Sequence, residues 1–375
     1  MQFPFKPHWL IGLVALPIAY VGRRLRNDPQ FGADAGAMKY AGEQGSEAWR
    51  RGSFRNIQKT PLKEDFRSLL GDLYGYLKAK NTQPTQPLPV KLADAEPDVD
   101  PNRDYLTWYG HSALRLETGG KTILLDPMLG EWVAPVPFLG HRFPYEGYNP
   151  TADLGTIDLI VYSHDHYDHL DYDTLMALKD RVKHYLVPLG VGAHLEAWGI
   201  PRAQITELDW WQSVDLAGCT WTATPARHFS GRSPSTRNKT LWCGFAIQTQ
   251  RHNLFFGGDS GYGQHFTEIG RRLGPFDLTM LDSGQYHDRW QNVHMQPEEA
   301  LQANRDLGGQ ALLPIHWGAF SLSDHPWFDP IARIMQADPD KCAISPMVGQ
   351  RFAIDQTDDC REHWWSELLE EFAEA

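Results

Sequence analysis

Residues 163–171 read Ser163-His164-Asp165-His166-Tyr167-Asp168-His169-Leu170-Asp171, so His164, His166, Asp168 and His169 fall within six positions. Three imidazoles and a carboxylate this close together suit the holding of metal. Neutral imidazole and carboxylate are ligands that zinc accepts at about 2.0–2.2 Å. The preceding run Ile157-Asp158-Leu159-Ile160-Val161-Tyr162 is short, apolar and β-branched, the pattern of a buried strand. The cluster therefore belongs on a loop at a strand end, where a rigid scaffold presents functional side chains. His164 and His166 alternate and can point the same way, whereas the adjacent Asp168 and His169 point apart. One motif can thus serve two neighbouring metals. The alternative, a histidine-rich surface turn, fits this spacing poorly.

Three more candidate ligands stand at the ends of predicted strands. Trp221–His228 ends in His228, Asn253–Asp259 ends in Gly257-Gly258-Asp259, and Leu312–His316 ends in His316. A lone buried histidine is usually a satisfied core residue. Three such ends beside a four-ligand motif favour ligation.

The order His164-x-His166-x-Asp168-His169, His228, Asp259, His316 is similar to that of the metallo-β-lactamase superfamily. Within it the chain resembles the N-acylphosphatidylethanolamine-hydrolysing phospholipase D family. The segments that carry the narrower likeness are Leu208-Asp209-Trp210-Trp211, Gly274-Pro275-Phe276-Asp277 and His316-Trp317-Gly318, and the likeness spans roughly residues 52–350. It implies a four-layer αββα sandwich with two zinc ions per chain in a groove at its edge. It assigns His164, His166 and His228 to one zinc, Asp168, His169 and His316 to the other, and Asp259 as the bridge. It also places His294, in Gln291-Asn292-Val293-His294, near the centre without binding metal. His294 and Asp168 are the catalytic candidates. The chain departs from the animal enzymes at Glu131–Tyr148, over its first hundred residues, and at Val293, where a polar neighbour of His294 is expected.

Composition fits this class. Hydrophobic residues make up 42% of 375, ordinary for a globular chain. The net charge of −12, with no long basic run, argues against nucleic acid as a partner. Cys219, Cys243, Cys342 and Cys360 are scattered, form no Cys-x-x-Cys pair, and do not decide the compartment.

Residues 1–26 read as an apolar anchor or interfacial segment. The run Trp9–Gly22 is followed by Arg23, Arg24 and Arg26, and is shorter than the roughly 20 residues a full span needs. The basic side usually stays cytoplasmic, which predicts membrane association with the catalytic domain on that side. The alternative is a helix packed on the protein itself. Residues 27–102 read as an extension and linker, with a helical stretch at 63–77 and a proline-rich connector at 81–90. Residues 103–375 read as the catalytic domain. Tyr105–Leu116 and Thr122–Leu125 are expected to form a hairpin across Gly119-Gly120. Helices are expected at Thr174–Val182, Gln264–Leu273, Pro297–Leu307 and Pro330–Gln336. The tail from Arg361 is expected to pack through Trp364, Trp365, Leu368 and Leu369.

Hydrolysis with two metals needs no serine or cysteine nucleophile, and no Gly-x-Ser-x-Gly elbow is present. Ser260 reads as a hydrogen-bonded turn residue. Asp126 is placed to orient a ligating imidazole. His111 could line the groove, but suits a structural role better. Arg232, Arg237 and Lys239 could meet a phosphate, or form a solvated basic loop. The proline-rich apolar loop 132–145 suits lipid tails or a homodimer contact, or folds over the core. The expected function is a zinc-dependent hydrolase with a phospholipid substrate at a membrane surface, releasing phosphatidic acid and an N-acylethanolamine. The alternatives are a lactonase or phosphoesterase for a small soluble metabolite, and a membrane-associated scaffold without catalysis.

Overall fold

Alternate residues along the strands face two different cores, and that sorting builds the molecule. The computed structural model describes residues 28–38, 45–62, 75, 78–91, 100, 102–135, 140–147 and 154–369. The apolar run 9–22, all but one residue of the stretch 63–77, and the last six residues lie outside the described residues. Among the described residues no helix is long and apolar enough to cross a membrane.

The strands are β1 (Trp49–Arg50), β2 (Ser53–Phe54), β3 (Tyr105–Trp108), β4 (Leu114–Thr118), β5 (Lys121–Leu125), β6 (Leu159–Val161), β7 (Tyr185–Pro188) and β8 (Ile205–Leu208), then β9 (Ser213–Leu216), β10 (Cys219–Thr224), β11 (Gly244–Gln248), β12 (Asn253–Phe256), β13 (Phe276–Asp282), β14 (Gly309–Ile315) and β15 (Arg351–Ala353). Among the described residues they form a β1–β2 hairpin and two sheets, ordered β15-β3-β4-β5-β6-β7-β8 and β14-β13-β12-β11-β10-β9. Helices α1 (Tyr172–Leu178) and α2 (Gly192–Ala197) go with the first sheet. Helices α3 (His265–Leu273), α4 (Pro297–Leu307) and α5 (Asp329–Ala337) go with the second, and α6 (Trp364–Glu367) ends the described chain.

Ile123, Leu125, Leu159 and Val161 face Phe245, Ile247, Leu254 and Phe256 across the space between the sheets. Leu124 and Ile160 face outward onto Leu175, Leu178 and Leu195. Phe255 and Leu312 face outward onto Phe266, Leu301 and Ile334. Helix, sheet, sheet and helix therefore stack in that order, the αββα sandwich that the resemblance implies.

The helices lie within a few residues of their expected bounds, and α4 matches them. Its Pro297 opens the first turn, Gln296 and Glu299 form a capping box, and Gly308 closes it at φ 70°. The expected single strand Tyr105–Leu116 is instead two, β3 and β4, separated by a turn through Gly110 (φ 84°) and His111 (φ 53°). The hairpin across Gly119-Gly120 joins β4 to β5. Trp364 and Trp365 are buried in the inter-sheet core with Leu368 and Leu369 against it, so the tail packs as expected.

Candidate metal centre

Strand ends from both sheets deliver the functional side chains. Asp126 follows β5, the His164–His169 motif follows β6, Asp259 follows β12, Asp282 ends β13, and His316 follows β14. β5 and β6 are parallel, as are β12, β13 and β14, and ligand sites in parallel sheets lie at such carboxyl ends. His228 departs from expectation. β10 stops at Thr224, before Pro225, and His228 sits four residues further on in a loop.

One close approach and a pair of backbone hydrogen bonds fix these ends. Gly258 has φ 56°, and a Cβ there would lie 2.6 Å from the Ser163 Cβ. Asp126, His111 and His316 also have positive φ, of 39°, 53° and 72°. Such backbone is held only where its surroundings over-determine it. His111 N donates to Trp317 O at 2.7 Å and His316 N to His111 O at 3.0 Å, which ties two of the three together.

The ligand atoms of His164, His166, His228 and Asp259 lie within 4.8 Å of one another, as do those of His111, Asp168, His169 and His316. Asp259 touches both groups. Its Oδ2 is 3.1 Å from His169 Nε2, 3.6 Å from His228 Nε2 and 3.8 Å from His164 Nε2, and its Oδ1 is 3.3 Å from His316 Nδ1.

The hydrogen bonds behind the imidazoles assign their protons. His228 Nδ1 donates to Val293 O at 3.0 Å. Ser163 Oγ donates to Asp126 at 2.5 Å, so it accepts from His164 Nδ1 at 2.9 Å. Both rings therefore carry their lone pair on Nε2, and both aim it at His166 Nδ1, at 2.9 and 3.1 Å. One proton cannot satisfy three such nitrogens. Three nitrogens on a tetrahedral zinc sit roughly 3.3 Å apart, so the donor set fits a metal ion. His169 Nδ1 faces Asp126 at 2.6 Å, which leaves its Nε2 toward Asp259.

Electrostatics point the same way. Burial, reinforced by neighbouring imidazoles, pushes His164, His228 and His316 well below the usual histidine range, into the neutral form that binds metal. Burial also drives Asp259 up to about 6, with His169 opposing the rise and Asp282 adding to it. Burial pushes His169 down, but Asp259, Asp168 and Asp126 outweigh it and hold His169 well above its ordinary value. For His294 burial also acts downward, and Asp282, Asp259 and Asp168 raise it to about 9. A buried surplus of carboxylate is costly unless paired with cations.

A cavity of about 260 Å³ opens on this cluster. Its lining combines His166, Asp168, Asp259, His294 and His316 with the apolar Leu62, Phe229, Trp290, Val293 and Leu322 and the polar Gln285 and Arg289. Sequence reasoning missed Arg289 and chose other cations. Arg232 is buried and donates to Asp165 O and Leu170 O, Arg237 covers the Phe229 ring, and Lys239 Nζ donates to Gly52 O. None of these three lines the cavity.

Beyond the structural role expected of His111, its Nε2 lies 3.1 Å from Asp168 Oδ2. Asn56, in the stretch read as an extension, escapes sequence reasoning altogether. It donates to His228 O at 2.7 Å and accepts from His228 N at 3.1 Å. Ser260 is the expected turn residue, accepting from Arg227 N and donating to Gly261 O. In the described part of loop 132–145, Val133 and Phe143 are buried and Phe143 N donates to Ala319 O, so that part folds over the core.

The beta-lactamase superfamily domain matches residues 121–317. An uncharacterized protein of Mycobacterium tuberculosis is 40% identical over 358 residues, covering 92% of this chain and 94% of the relative. The N-acyl-phosphatidylethanolamine-hydrolyzing phospholipase D 1 of Caenorhabditis elegans is 30% identical over 270 residues, covering 68% of this chain and 76% of the relative. Among solved structures, an isothiocyanate hydrolase from Delia radicum gut bacteria is similar in fold, with a TM-score of 0.55 at 19% identity over 66% of this chain and 98% of that one. The chain belongs to the β-lactamase superfamily, in the branch whose members include the N-acylphosphatidylethanolamine-hydrolysing phospholipases D, and it is a metallo-hydrolase of that superfamily.

Proposed function

We propose that this protein is a zinc-dependent phosphodiesterase of the phospholipase D type, cleaving N-acylphosphatidylethanolamine or a related glycerophospholipid. The observation that carries it is the cavity, whose lining joins the imidazole–carboxylate cluster to apolar side chains and Arg289. A phosphodiester needs positive charge at one end and room for chains at the other. His164, His166 and His228 would hold one zinc, Asp168, His169 and His316 the second, with Asp259 shared. Zinc ions so held act as Lewis acids on a phosphoryl oxygen and make water nucleophilic near neutral pH. Asp126 orients His169, and through Ser163 it orients His164. Arg289, which lines the same cavity, would meet the remaining phosphate charge. His294, outside both ligand sets, protonates the departing oxygen, a contribution worth roughly 10²–10⁴ in rate. Leu62, Phe229, Trp290 and Leu322 would lie against the apolar chains, and residues 1–26 would hold the domain at the membrane.

The test is a panel of phospholipids and lactones offered to the zinc-loaded full-length chain, with products identified by mass spectrometry. Phosphatidic acid and N-acylethanolamine are the expected products. Turnover of lactones or soluble phosphoesters alone would replace this reading with the small-metabolite one.

A further inference from the structure

Asp282 is a fully buried carboxylate at the end of β13, outside both ligand sets. Burying a carboxylate is expensive unless a partner takes its charge. Its Oδ2 meets His294 Nδ1 at 2.8 Å, while Oδ1 has a longer contact of 3.4 Å from Gly284 N. His294 is held on its other sides as well. Its ring stacks on His316 with centroids 5.2 Å apart and planes 11° from parallel, and meets His228 edge-on at 5.1 Å. With Nδ1 committed to Asp282, the Nε2 side of the ring is the one left for the cavity that His294 lines.

We infer that Asp282 is the positioning residue of His294, fixing the ring so that Nε2 delivers its proton to the departing oxygen of the substrate. This rests on the phosphodiesterase reading above. In the step, water releases one proton to solvent as its oxygen forms the new P–O bond and the P–O bond to the leaving group breaks. The electron pair of the broken bond goes to the leaving oxygen, which takes the Nε2 proton. The ring is left neutral with Nδ1–H still on Asp282, and is reprotonated from solvent. Asp282 itself neither loses nor gains a proton.

Leaving-group dependence separates positioning from mere structure. An alkoxide needs that proton and a nitrophenolate does not, so proton donation matters only for the former. D282N, H294Q and the double variant, all zinc-loaded, would be assayed on an alkyl phosphodiester and on bis(p-nitrophenyl) phosphate, with zinc content measured alongside. D282N should slow the alkyl ester about 10²-fold, at the lower end of acid catalysis, and leave the nitrophenyl ester nearly unchanged. The double variant should be no slower than H294Q, because residues acting as a unit are not additive. D282E should recover part of the rate.

Equal slowing of both esters by D282N, or additive losses in the double variant, would overturn the inference. So would loss of zinc from D282N, which would make Asp282 a ligand in the group that Asp259, Asp282, His294 and His316 form. If the unaltered protein cleaves neither diester, the phosphodiesterase reading falls and the dyad falls with it. If it cleaves both while D282N behaves as in the contrary cases, the dyad alone falls.

Discussion

Replacing Asp126 by asparagine changes one atom in the support of the metal centre, and its effect can be worked out from three contacts. The fully buried carboxylate accepts from Ser163 N at 2.7 Å, Ser163 Oγ at 2.5 Å and His169 Nδ1 at 2.6 Å. The asparagine would keep an acceptor for Ser163 N. Its amide NH₂ would then face two donors, Ser163 Oγ and His169 Nδ1, and at least one must reverse. If His169 reverses its tautomer, the proton moves to Nε2, the atom aimed at Asp259, and the lone pair needed for metal is lost. Loss of such a supporting carboxylate costs 10–100-fold in metal affinity, or about 1.4–2.7 kcal/mol. We predict that D126N binds one zinc with nearly normal affinity and the other about 10–100-fold more weakly. Chelator competition with metal analysis reads both steps, and the melting temperature of the metal-free protein controls for lost folding. Two zinc ions bound with unaltered affinities in D126N would refute the tautomer argument.

Asp259→Asn should lower the occupancy of both metals and abolish turnover together, because Asp259 touches both ligand groups; full metal content at a normal rate would remove it as the bridge. The Asp104–His252 pair predicts a pH window of extra stability. Burial alone would raise Asp104, but hydrogen bonds from His252, Thr118 and Thr249 lower it to about 2, so its contribution is complete above about 3.9 and fades as pH falls toward 2. The hydrogen bond to Asp104 raises His252, so its contribution is complete below about 6.5 and fades as pH climbs through the raised value. The melting-temperature deficit of His252→Gln should therefore be largest near pH 5 and shrink by pH 9; a deficit independent of pH would count against the pair. Finally, the intact chain should fractionate with membranes, and removal of residues 1–26 should release it still loaded with zinc; a full-length chain freely soluble without detergent would discard the anchor.

The residues that converge at the candidate metal centre were legible because most of them are local in sequence. Four candidates share one motif, and Asp259 and His316 announce themselves as polar residues closing apolar strands. The sandwich was legible only through the family resemblance; the alternation along its strands accounts for the inner and outer faces once the two sheets are paired. What escaped was contact between distant segments. Asn56 clamps His228 from 172 positions away, and nothing around Asn56 marks it. Asp282 looks like any carboxylate at a strand end; its meaning lies in His294, which only the turn through Tyr286–Val293 brings within 2.8 Å. Gly110-His111-Ser112 did carry a signal, since a glycine inside an apolar run favours a bend over a continuous strand.

The residues that escaped and those that were legible obey one physical rule. Metal ligands must converge, and convergence from two sheets needs chain reversals at the seam where they meet. His111 and His316 both have left-handed backbone there, and each is hydrogen-bonded to the other's segment. Just behind them Trp108 and Trp317 pack with centroids 5.0 Å apart, one from each sheet's side of the seam. The inter-sheet core thus sets where His316 sits relative to Asp168 and His169. In this protein the spacing of the candidate metal ligands depends on apolar packing that no ligand motif encodes.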